Sequence, residues 1–297
     1  MSRPIAVGVD GSDESLAALD WAVDEAAARG TGLRLVNASQ WQEHQLAAVK
    51  PTRDTRTGRE QSLLGATEQR VRARRPDVET TLEEVEDAPA RVLVAAASDA
   101  ELLVMGSHGL GGVGGFLVGS VGQEVVGAAK HPVVLVRPGY GEDAAGAGAG
   151  GAPGGEGRRK VVLGLDVRDV QDELLEFAFD FAARHSAPLH IVHSWRFPAV
   201  HHHTAASGGG EADRGTEAEK ESALSEAVRP YRDRFPGVKV SEEAAPGRAG
   251  SHLVEAASDA GLVVVGRRRS ASGAHIGSVT HAVIHHAPCP VAVVPHT

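Results

Sequence analysis

The feature that most constrains the fold of this chain is an internal repeat. Six short segments of the first half recur, in the same order, in the second half. The pairs are 5–10 with 161–166, 35–41 with 189–195, 97–100 with 257–260, 104–106 with 264–266, 119–121 with 277–279, and 132–136 with 290–294. Ordered correspondence at this many places is typical of a duplicated structural unit. The sequence therefore predicts two copies of one fold in tandem.

A stretch of different composition separates the two copies. Residues 139–158 are dominated by Gly, Ala and Pro, and no apolar period survives there, which is typical of a flexible linker. We therefore expect one domain over residues 1–138 and a second over residues 159–297. The length of 297 residues is sufficient for two ordinary domains.

Apolar runs and helical periods alternate along the first copy. The predicted strands are 5–9, 33–38, 78–85, 102–104 and 133–136, and the predicted helices include 15–29, 60–74 and 89–98. Residues 39–58 are polar and irregular, which favours a long surface loop. The several glutamates of 78–85 suit an edge strand. Five strands alternating with helices predict an α/β fold with a parallel sheet and right-handed crossovers in each copy.

The first copy contains a glycine-rich loop between a buried strand and a helix. Glycines at 106, 109, 111, 112, 114 and 115 follow the strand, and Gly119-Ser120 precedes an apolar stripe at helical spacing. We expect Ser120 to be the N-cap of that helix. The first amides of a helix are unpaired and carry the positive end of the dipole, so this segment predicts a phosphate site. A merely flexible loop remains the alternative.

The spacing Gly106-x2-Gly109-x9-Gly119-Ser120 resembles the ATP-binding signature of the universal stress protein family. Residues 7–12 resemble the opening strand of that family, and residues 131–136 resemble its closing segment. The resemblance covers both copies except for the linker and the two long loops. It implies two tandem open five-stranded parallel sheets with helices on both faces, a Rossmann-like arrangement. The ligand is then expected beyond the carboxyl ends of the strands.

The resemblance also implies a role for individual residues of the first copy. Asp10 is expected to face the adenine, Ala38 to offer it backbone atoms, Gly106 to lie against the ribose, and Gly109, Gly119 and Ser120 to hold the phosphates. His108 either touches a phosphate or is a solvated loop histidine. Asp10 has a second interpretation, as a turn former before Ser12. The implied cofactor is ATP, with accompanying Mg²⁺ left open.

The second copy departs from this pattern. Its counterparts are Asp166, Gly266, Gly277 and Ser278. Three arginines, 267–269, follow the first glycine, so that Arg269 stands where the second glycine would be. The spacer to Gly277 is seven residues, against nine in the first copy. We expect weaker binding or a different nucleotide here. The arginines either contact phosphate or form a solvated charge run.

Composition limits the partners and the compartment. The net charge of −9 argues against general binding to nucleic acid or to anionic membranes. No apolar run approaches a membrane span, and the start lacks the apolar stretch of a signal peptide. The single cysteine, Cys289, excludes a disulfide framework within the chain and favours a reducing, cytoplasmic setting. The tract 201–203 is all histidine but lacks a defined set of partner ligands, so no metal site is predicted.

These observations favour a nucleotide-dependent regulatory or stress-response protein without efficient catalysis. Phosphoryl transfer needs a metal-holding carboxylate and a lysine on the phosphates. Near the first loop, Glu124 lies a turn inside the helix and Lys130 at its far end, so no catalytic residue is predicted. The alternatives are an adenylating or slow ATP-hydrolysing enzyme of a related fold, and a scaffold that has lost nucleotide.

The family resemblance further implies that two units pair through their last strands. Within this chain, residues 133–136 and 291–294 would then lie antiparallel across a pseudo-twofold axis. Such intramolecular pairing of the two domains leaves the formation of a homodimer open.

Overall fold

The structure of the chain is a computed structural model that describes residues 3–38, 53–107, 118–138, 159–195, 210–269 and 275–297. The side chains of residues 53–62 and 210–216 are not described. The chain divides into two compact units, and the strands of the first repeat lie in one and those of the second repeat in the other. The domain boundaries at 138 and 159 stay predictions, because the linker 139–158 falls outside the described residues.

The first unit alternates strands and helices. Its described elements are β1 (Ile5–Gly8), α1 (Asp13–Arg29), β2 (Leu33–Ala38), α2 (Arg53–Arg74), β3 (Thr80–Val85), α3 (Pro89–Asp99), β4 (Leu102–Gly106), α4 (Ser120–Ala128) and β5 (Val133–Val136). The strands run parallel in the order β3-β2-β1-β4-β5. Helices cover both faces of the sheet. The predicted α/β fold is confirmed, and β3 lies at the predicted edge.

The second unit repeats this topology. Its described elements are β6 (Lys160–Gly164), α5 (Asp172–His185), β7 (Leu189–Trp195), α6 (Gly210–Arg234), β8 (Val240–Pro246), α7 (Ala249–Ala256), a 3₁₀ turn (Ala257–Asp259), β9 (Ala260–Arg268), α8 (Ser278–His286) and β10 (Val291–His296). The parallel order is β10-β9-β6-β7-β8. In each unit the strand order reverses beside the first strand, where α/β sheets bind their ligands.

The strand registers correct one of the predicted repeat matches. Val36 of β2 pairs with Gly8, and Val192 of β7 pairs with Gly164. Residue 189 therefore corresponds to residue 33, and Ser194 stands at the place of Ala38. The match of 35–41 with 189–195 is wrong by two residues. A shift of two keeps every side chain on the same face of a strand, so the apolar pattern did not distinguish the two registers.

A second correction concerns the long polar segment before α2. This helix begins at Arg53, so residues 53–58 are helical, whereas a surface loop was expected over 39–58. The mixed polar composition lacked the apolar stripe that marks a helix. Residues 39–52 lie outside the described part of the chain.

The core consists mainly of aliphatic side chains on the central strands. β4 and β9 contain continuous buried apolar runs, as expected for parallel strands covered on both faces. Two matched contacts join a strand glycine to a helix leucine. A Cβ added to Gly8 would lie 2.9 Å from Leu93 Cδ2, and one added to Gly164 would lie 2.8 Å from Leu253 Cδ1. The same close contact therefore fixes α3 on β1 and α7 on β6.

Candidate functional site

A cavity of about 450 Å³ opens at the carboxyl ends of β1, β2 and β4 in the first unit. The predicted site residues that line it are Asp10, Ala38, Gly106, Gly119 and Ser120. His108 and Gly109 lie outside the described residues. Segments distant in the sequence thus meet at one cavity, because parallel strands bring their carboxyl ends to the same edge of the sheet.

The start of α4 forms one end of this cavity. The N-cap is Gly119, in extended conformation (φ −61°, ψ 168°), and within the described part of the chain the helix has no side-chain cap hydrogen bond. Ser120 is the first helical residue, so its prediction as the N-cap is wrong by one position. The small size of Gly119 leaves the helix start open toward the described residues, none of which has an atom within 4 Å of a Cβ placed there. The first amides of α4 are therefore accessible to an anion.

Asp10 lies in the turn between β1 and α1. Its Oδ1 accepts hydrogen bonds from the Ser12 N–H at 3.0 Å and from the Ser12 hydroxyl at 2.6 Å. Ser12 is the N-cap of α1, and its Oγ accepts from the Ser15 N–H at 3.2 Å. The turn-forming interpretation of Asp10 thus describes its local geometry. Because Asp10 also lines the cavity, that role and a ligand contact are compatible.

Gly106 is required by packing as well as by its place at the cavity. A Cβ on Gly106 would lie 2.6 Å from the main-chain carbonyl of Glu14, in the first turn of α1. This neighbour is backbone, which cannot rotate away. The glycine therefore lets α1 begin directly against β4, and it brings Glu14 to the cavity wall.

Several lining residues were missed by the sequence reasoning. Glu14 and the apolar side chains of Pro89, Leu93 and Met105 all line the cavity. Glu14 is the second residue of α1, four positions after Asp10, so the Asp10-Gly11-Ser12 turn followed by a helix contained the signal for it. Pro89 and Leu93 had no such signal, because α3 reaches the cavity through tertiary packing, whereas Met105 directly precedes the predicted Gly106 in β4.

The second unit has a cavity of about 1220 Å³ at the corresponding edge. The predicted residues Asp166, Gly266, Gly277 and Ser278 all line it. Gly277 is the N-cap of α8, without a side-chain cap, and Ser278 is the first helical residue, as in α4. Both repeats thus present an open helix start. The other lining residues differ, with Arg168, Arg248 and Arg268 at the second cavity.

Asp166 is paired with a nearby arginine. The guanidinium of Arg168 donates two hydrogen bonds to its carboxylate, at 3.0 and 2.8 Å, and the Arg168 N–H donates a third at 3.0 Å. The hydrogen bond with the Arg168 side chain lowers the pKa of Asp166 below its ordinary value, against the opposing effect of burial. This carboxylate is therefore an ion-pair partner, in contrast to Asp10.

The arginine run at the end of β9 is not simply a solvated charge run. Arg267 is 4% exposed. Arg268 forms an ion pair with Asp169, in the loop before α5. That pair ties the end of β9 to the loop that follows β6, so the side chain of Arg268 has an acidic partner at the cavity it lines.

A buried polar residue occupies the same position on β2 and β7. Asn37 Nδ2 donates to the Val9 carbonyl at 2.6 Å. His193 Nδ1 lies 3.0 Å from the Leu165 carbonyl, so this nitrogen carries the proton and donates. Burial lowers the pKa of His193, although the bond to Leu165 and the charge of Asp166 oppose that shift, so the imidazole is held neutral.

Within the described residues, no group of three or more His, Cys, Asp or Glu side chains is placed to hold a metal ion. The histidine tract 201–203 lies outside this part of the chain. Cys289, the single cysteine of the chain, is buried. No helix among the described segments is both long and apolar enough to span a bilayer.

Comparison with known proteins identifies the class to which this architecture belongs. The sequence profile of the universal stress protein family matches residues 1–137 and 157–295, which is nearly the whole chain in two repeats. The chain belongs to the universal stress protein family.

Relatives share the tandem arrangement. A universal stress protein of Mycobacterium tuberculosis is 31% identical over 308 residues, covering 99% of both chains. The crystal structure of a universal stress protein from Archaeoglobus fulgidus covers 100% of both chains, with a TM-score of 0.68 and 18% identity, which supports the fold alone. A universal stress protein solved in complex with cAMP covers 46% of this chain, at 27% identity and a TM-score of 0.35.

Proposed function

We propose that this chain is a cytoplasmic ATP-binding protein that regulates a stress response through its nucleotide state, without efficient catalysis. The proposed site is the cavity of the first unit. The observation that supports it is the meeting of an apolar wall with the uncapped start of α4 in one cavity. An adenine nucleotide has this same division between a flat apolar base and an anionic tail.

Each part of the nucleotide has a proposed contact. Pro89, Leu93 and Met105 offer an apolar surface for the base, and the main chain of Ala38 lies at the same end of the sheet. The amides at Gly119 and Ser120 would hold phosphate oxygens. Contributions from His108 and Gly109 remain part of the proposal.

The carboxylates at the cavity are compatible with slow ATP hydrolysis or adenylation at most. Glu14 and Asp10 line it, and a Mg²⁺ ion carried by the nucleotide would meet oxygen ligands of the type it prefers. No lysine is among the described lining residues, whereas phosphoryl-transfer sites place one on the phosphates. We expect turnover far below the roughly 1–100 s⁻¹ of kinases. Glu14 is the residue that favours the alternative, a slow hydrolase or adenylating enzyme.

Calorimetric titration of ATP into the nucleotide-free full chain tests the proposed binding. In Gly119→Val the new side chain meets none of the described residues but occupies the proposed place of the phosphates, so we expect at least a tenfold loss of affinity. Gly277→Val is the matched control, because Gly277 is the equally open N-cap of α8. It should leave the affinity of the first site unchanged. Undiminished binding by Gly119→Val would contradict the proposed site.

The non-enzymatic part of the proposal has its own measurement. Release of ADP, or of AMP and pyrophosphate, is followed in the full chain with Mg²⁺ and compared with Glu14→Gln. We expect a rate close to that of uncatalysed ATP hydrolysis. A rate that is substantial and lost in Glu14→Gln would replace the regulatory proposal by the enzymatic alternative.

We also propose that the two units pair within one chain through β5 and β10, and that two chains can form a homodimer. Cross-linking between cysteines introduced on the two strands tests the pairing, and light scattering on the purified chain tests the dimer. Strands that fail to cross-link would contradict the pairing.

A further inference from the structure

The last two strands of the second sheet bring a histidine, a serine and a glutamate together on one face. His190 of β7 pairs with Ser241 of β8, the last strand of the described order. Because side chains two positions apart share a face of a strand, Glu243 lies on the same face as Ser241. The three residues stand toward the amino ends of these strands, whereas the cavity of this unit opens at the carboxyl ends.

The imidazole of His190 makes a hydrogen bond with each of the other two side chains. Its Nδ1 lies 2.9 Å from Ser241 Oγ, and its Nε2 lies 3.0 Å from Glu243 Oε2. An ionised carboxylate only accepts hydrogen bonds, so Nε2 carries a proton and donates. In the neutral imidazole Nδ1 is then the acceptor, and the Ser241 hydroxyl donates to it. The carboxylate thus sets the tautomer in which His190 is a base toward the serine.

This order of side chains is that of an activated nucleophile. A serine hydroxyl is a weak nucleophile by itself, and it is activated when an adjacent base takes its proton and a third group orients that base. Ser241, His190 and Glu243 stand in this order. Ser241 is exposed, and the Glu243 side chain is 47% exposed. A small reagent can therefore reach the serine oxygen.

The first unit has the same frame without a base. The residues that correspond to His190, Ser241 and Glu243 are, in the same order, Arg34, Thr81 and Glu83. Arg34 forms an ion pair with Glu83. Arginine stays protonated in proteins and has no acceptor atom, so it cannot take a proton from Thr81. The histidine of the second unit therefore adds a base that the first unit lacks at this position.

The nearest other carboxylate is engaged by a lysine. Asp259 lies in the 3₁₀ turn, and Lys160 Nζ is 2.9 Å from its Oδ1. The hydrogen bond from Lys160 is the largest cause of the lowered pKa of Asp259, and the charge of His190 contributes in the same direction. Glu243, and not Asp259, is therefore the carboxylate that orients the imidazole.

The main chain beside Ser241 offers a hydrogen-bond donor at the outer side of β8. The carbonyl of Lys239 accepts from β7, whereas that of Val240 accepts from the Arg232 side chain at 3.4 Å. Main-chain groups alternate between the two sides of a strand, so the Glu242 N–H points outward together with Val240. In serine hydrolases the N–H of the residue after the nucleophile donates to the oxyanion. The Glu242 N–H has this position relative to Ser241.

We propose that Ser241 is a nucleophile that accepts acyl groups from small activated carboxylic esters, with His190 as its general base and Glu243 as the positioning residue. Ser241 Oγ attacks the ester carbonyl, and the hydroxyl proton passes to His190 Nδ1. The bond between the carbonyl carbon and the leaving oxygen then breaks, and that oxygen takes the proton from His190. The products are an acyl ester on Ser241 and a free alcohol. This site is independent of the proposed ATP site in the first unit.

Labelling of the full chain with a fluorophosphonate, which reacts with activated serines, tests the nucleophile. Treatment with p-nitrophenyl acetate tests acyl transfer itself, and peptide mass spectrometry locates both adducts. We expect both at Ser241. His190→Arg copies Arg34 and should slow labelling on the order of a hundredfold, as expected when a general base is lost. No adduct at Ser241, or undiminished labelling in His190→Arg, would overturn the proposal.

Matched variants separate the chemistry from the structure. Thr81→Ser in the first unit gives the same hydroxyl beside Arg34 and Glu83, and it should stay unlabelled. Added imidazole should restore labelling of His190→Ala, which a merely structural histidine would not allow. Glu243→Asp retains the carboxylate and should react faster than Glu243→Gln, which retains only the size of the side chain. Labelling of Thr81→Ser as fast as that of Ser241, absent rescue, or equal rates for the two Glu243 variants would contradict the assigned roles.

The two proposals for this chain can fail separately. Ser241→Ala should lose both adducts and bind ATP as the unchanged chain does. Gly119→Val should lose affinity for ATP and retain the labelling of Ser241.

Discussion

The cavities of the two repeats occupy the same edge of the same sheet but have different walls. The first is about 450 Å³ with a largely apolar lining that includes Pro89, and the second is about 1220 Å³ with arginines at its edge. The strand order and the open helix starts after Gly119 and Gly277 are retained. The difference lies at the strand ends, as at Arg268, and in the loops and helix starts, because the central strand residues are held by packing on both faces while these residues are not.

The two aspartates after the first strand of each repeat sharpen this comparison. In both turns the carboxylate accepts the N–H of the residue two positions later, at 3.0 Å. That residue is Ser12 beside Asp10 and Arg168 beside Asp166. A neutral hydroxyl contacts the carboxylate in one case and a bidentate guanidinium in the other. The chemistry of a matched aspartate is therefore set by the side chain two positions later.

The largest expected difference between the repeats concerns their strand-end glycines. Gly106→Ala should lower the free energy of unfolding of the first unit by about 3 kcal/mol, because its Cβ meets the backbone of Glu14. Gly266→Ala should cost only about 1 kcal/mol, since its Cβ meets the side-chain ends of Leu174 and His296, which can rotate. Hydrogen exchange of the β4 and β9 amides measures the free energy of unfolding of the first and the second unit, respectively. An equal loss of stability in both variants would contradict this difference between the backbone contact at Gly106 and the side-chain contacts at Gly266.

Removal of the N-cap side chain of the first helix should give a smaller difference in stability between the two repeats. Ser12→Ala removes the side-chain cap of α1 and should cost about 1 kcal/mol. The corresponding N-cap of α5, Gln171, makes no side-chain cap hydrogen bond, so Gln171→Ala should cost a few tenths of a kcal/mol. Urea unfolding of both variants gives the comparison. A similar loss in both would indicate that Ser12 acts through Asp10 rather than through the cap.

Exchange of the partner of Asp166 should make the second site more like the first. Arg168→Ser copies Ser12 and frees the carboxylate from its guanidinium. We expect ATP to bind the second site about threefold more tightly, in line with an exposed ion pair of about 0.2–1 kcal/mol. Titration in the Gly119→Val background isolates this site. No change would mean that Arg168 does not limit nucleotide binding.

The smallest expected difference depends on pH. Burial, with the charges of Lys220 and Arg168, lowers the pKa of folded His193. As the pH falls below the ordinary value of about 6.5, the unfolded chain takes up a proton that the folded chain does not, so stability falls. His193→Asn copies Asn37 and should reduce this loss between pH 7.5 and pH 5.5. Denaturation curves at both values test it, and an unchanged slope would contradict it.

Much of the fold could be predicted because the strands are short buried runs between turn residues. Strands 33–38 and 133–136 were predicted with the bounds of β2 and β5. The start of α2 at Arg53 was missed, since a charged surface helix has little apolar period. The register of β7 was misread because a shift of two residues preserves the face of every side chain.

The candidate site was predictable where main chain and glycine define it. The described residues predicted from the family resemblance line one cavity or the other, although their binding roles stay predictions. The N-cap position of Ser120 was wrong, because Gly119 can take the extended cap conformation as readily as serine. The pairing of Asp166 with Arg168 had no sequence signal beyond proximity, since many neighbouring charges remain solvated.

Residues 87–99 and 247–259 are structurally equivalent segments, because Leu93 and Leu253 make the same contact with a strand glycine. Each leucine packs directly against a strand glycine. Residues 247–259 can therefore replace residues 87–99 with this buried contact preserved. Such a chimaera would carry Arg248 and Ala249 into the smaller cavity. Exchange of this one segment would then change the ligand preference of the first cavity, while the strands of the sheet stay unchanged.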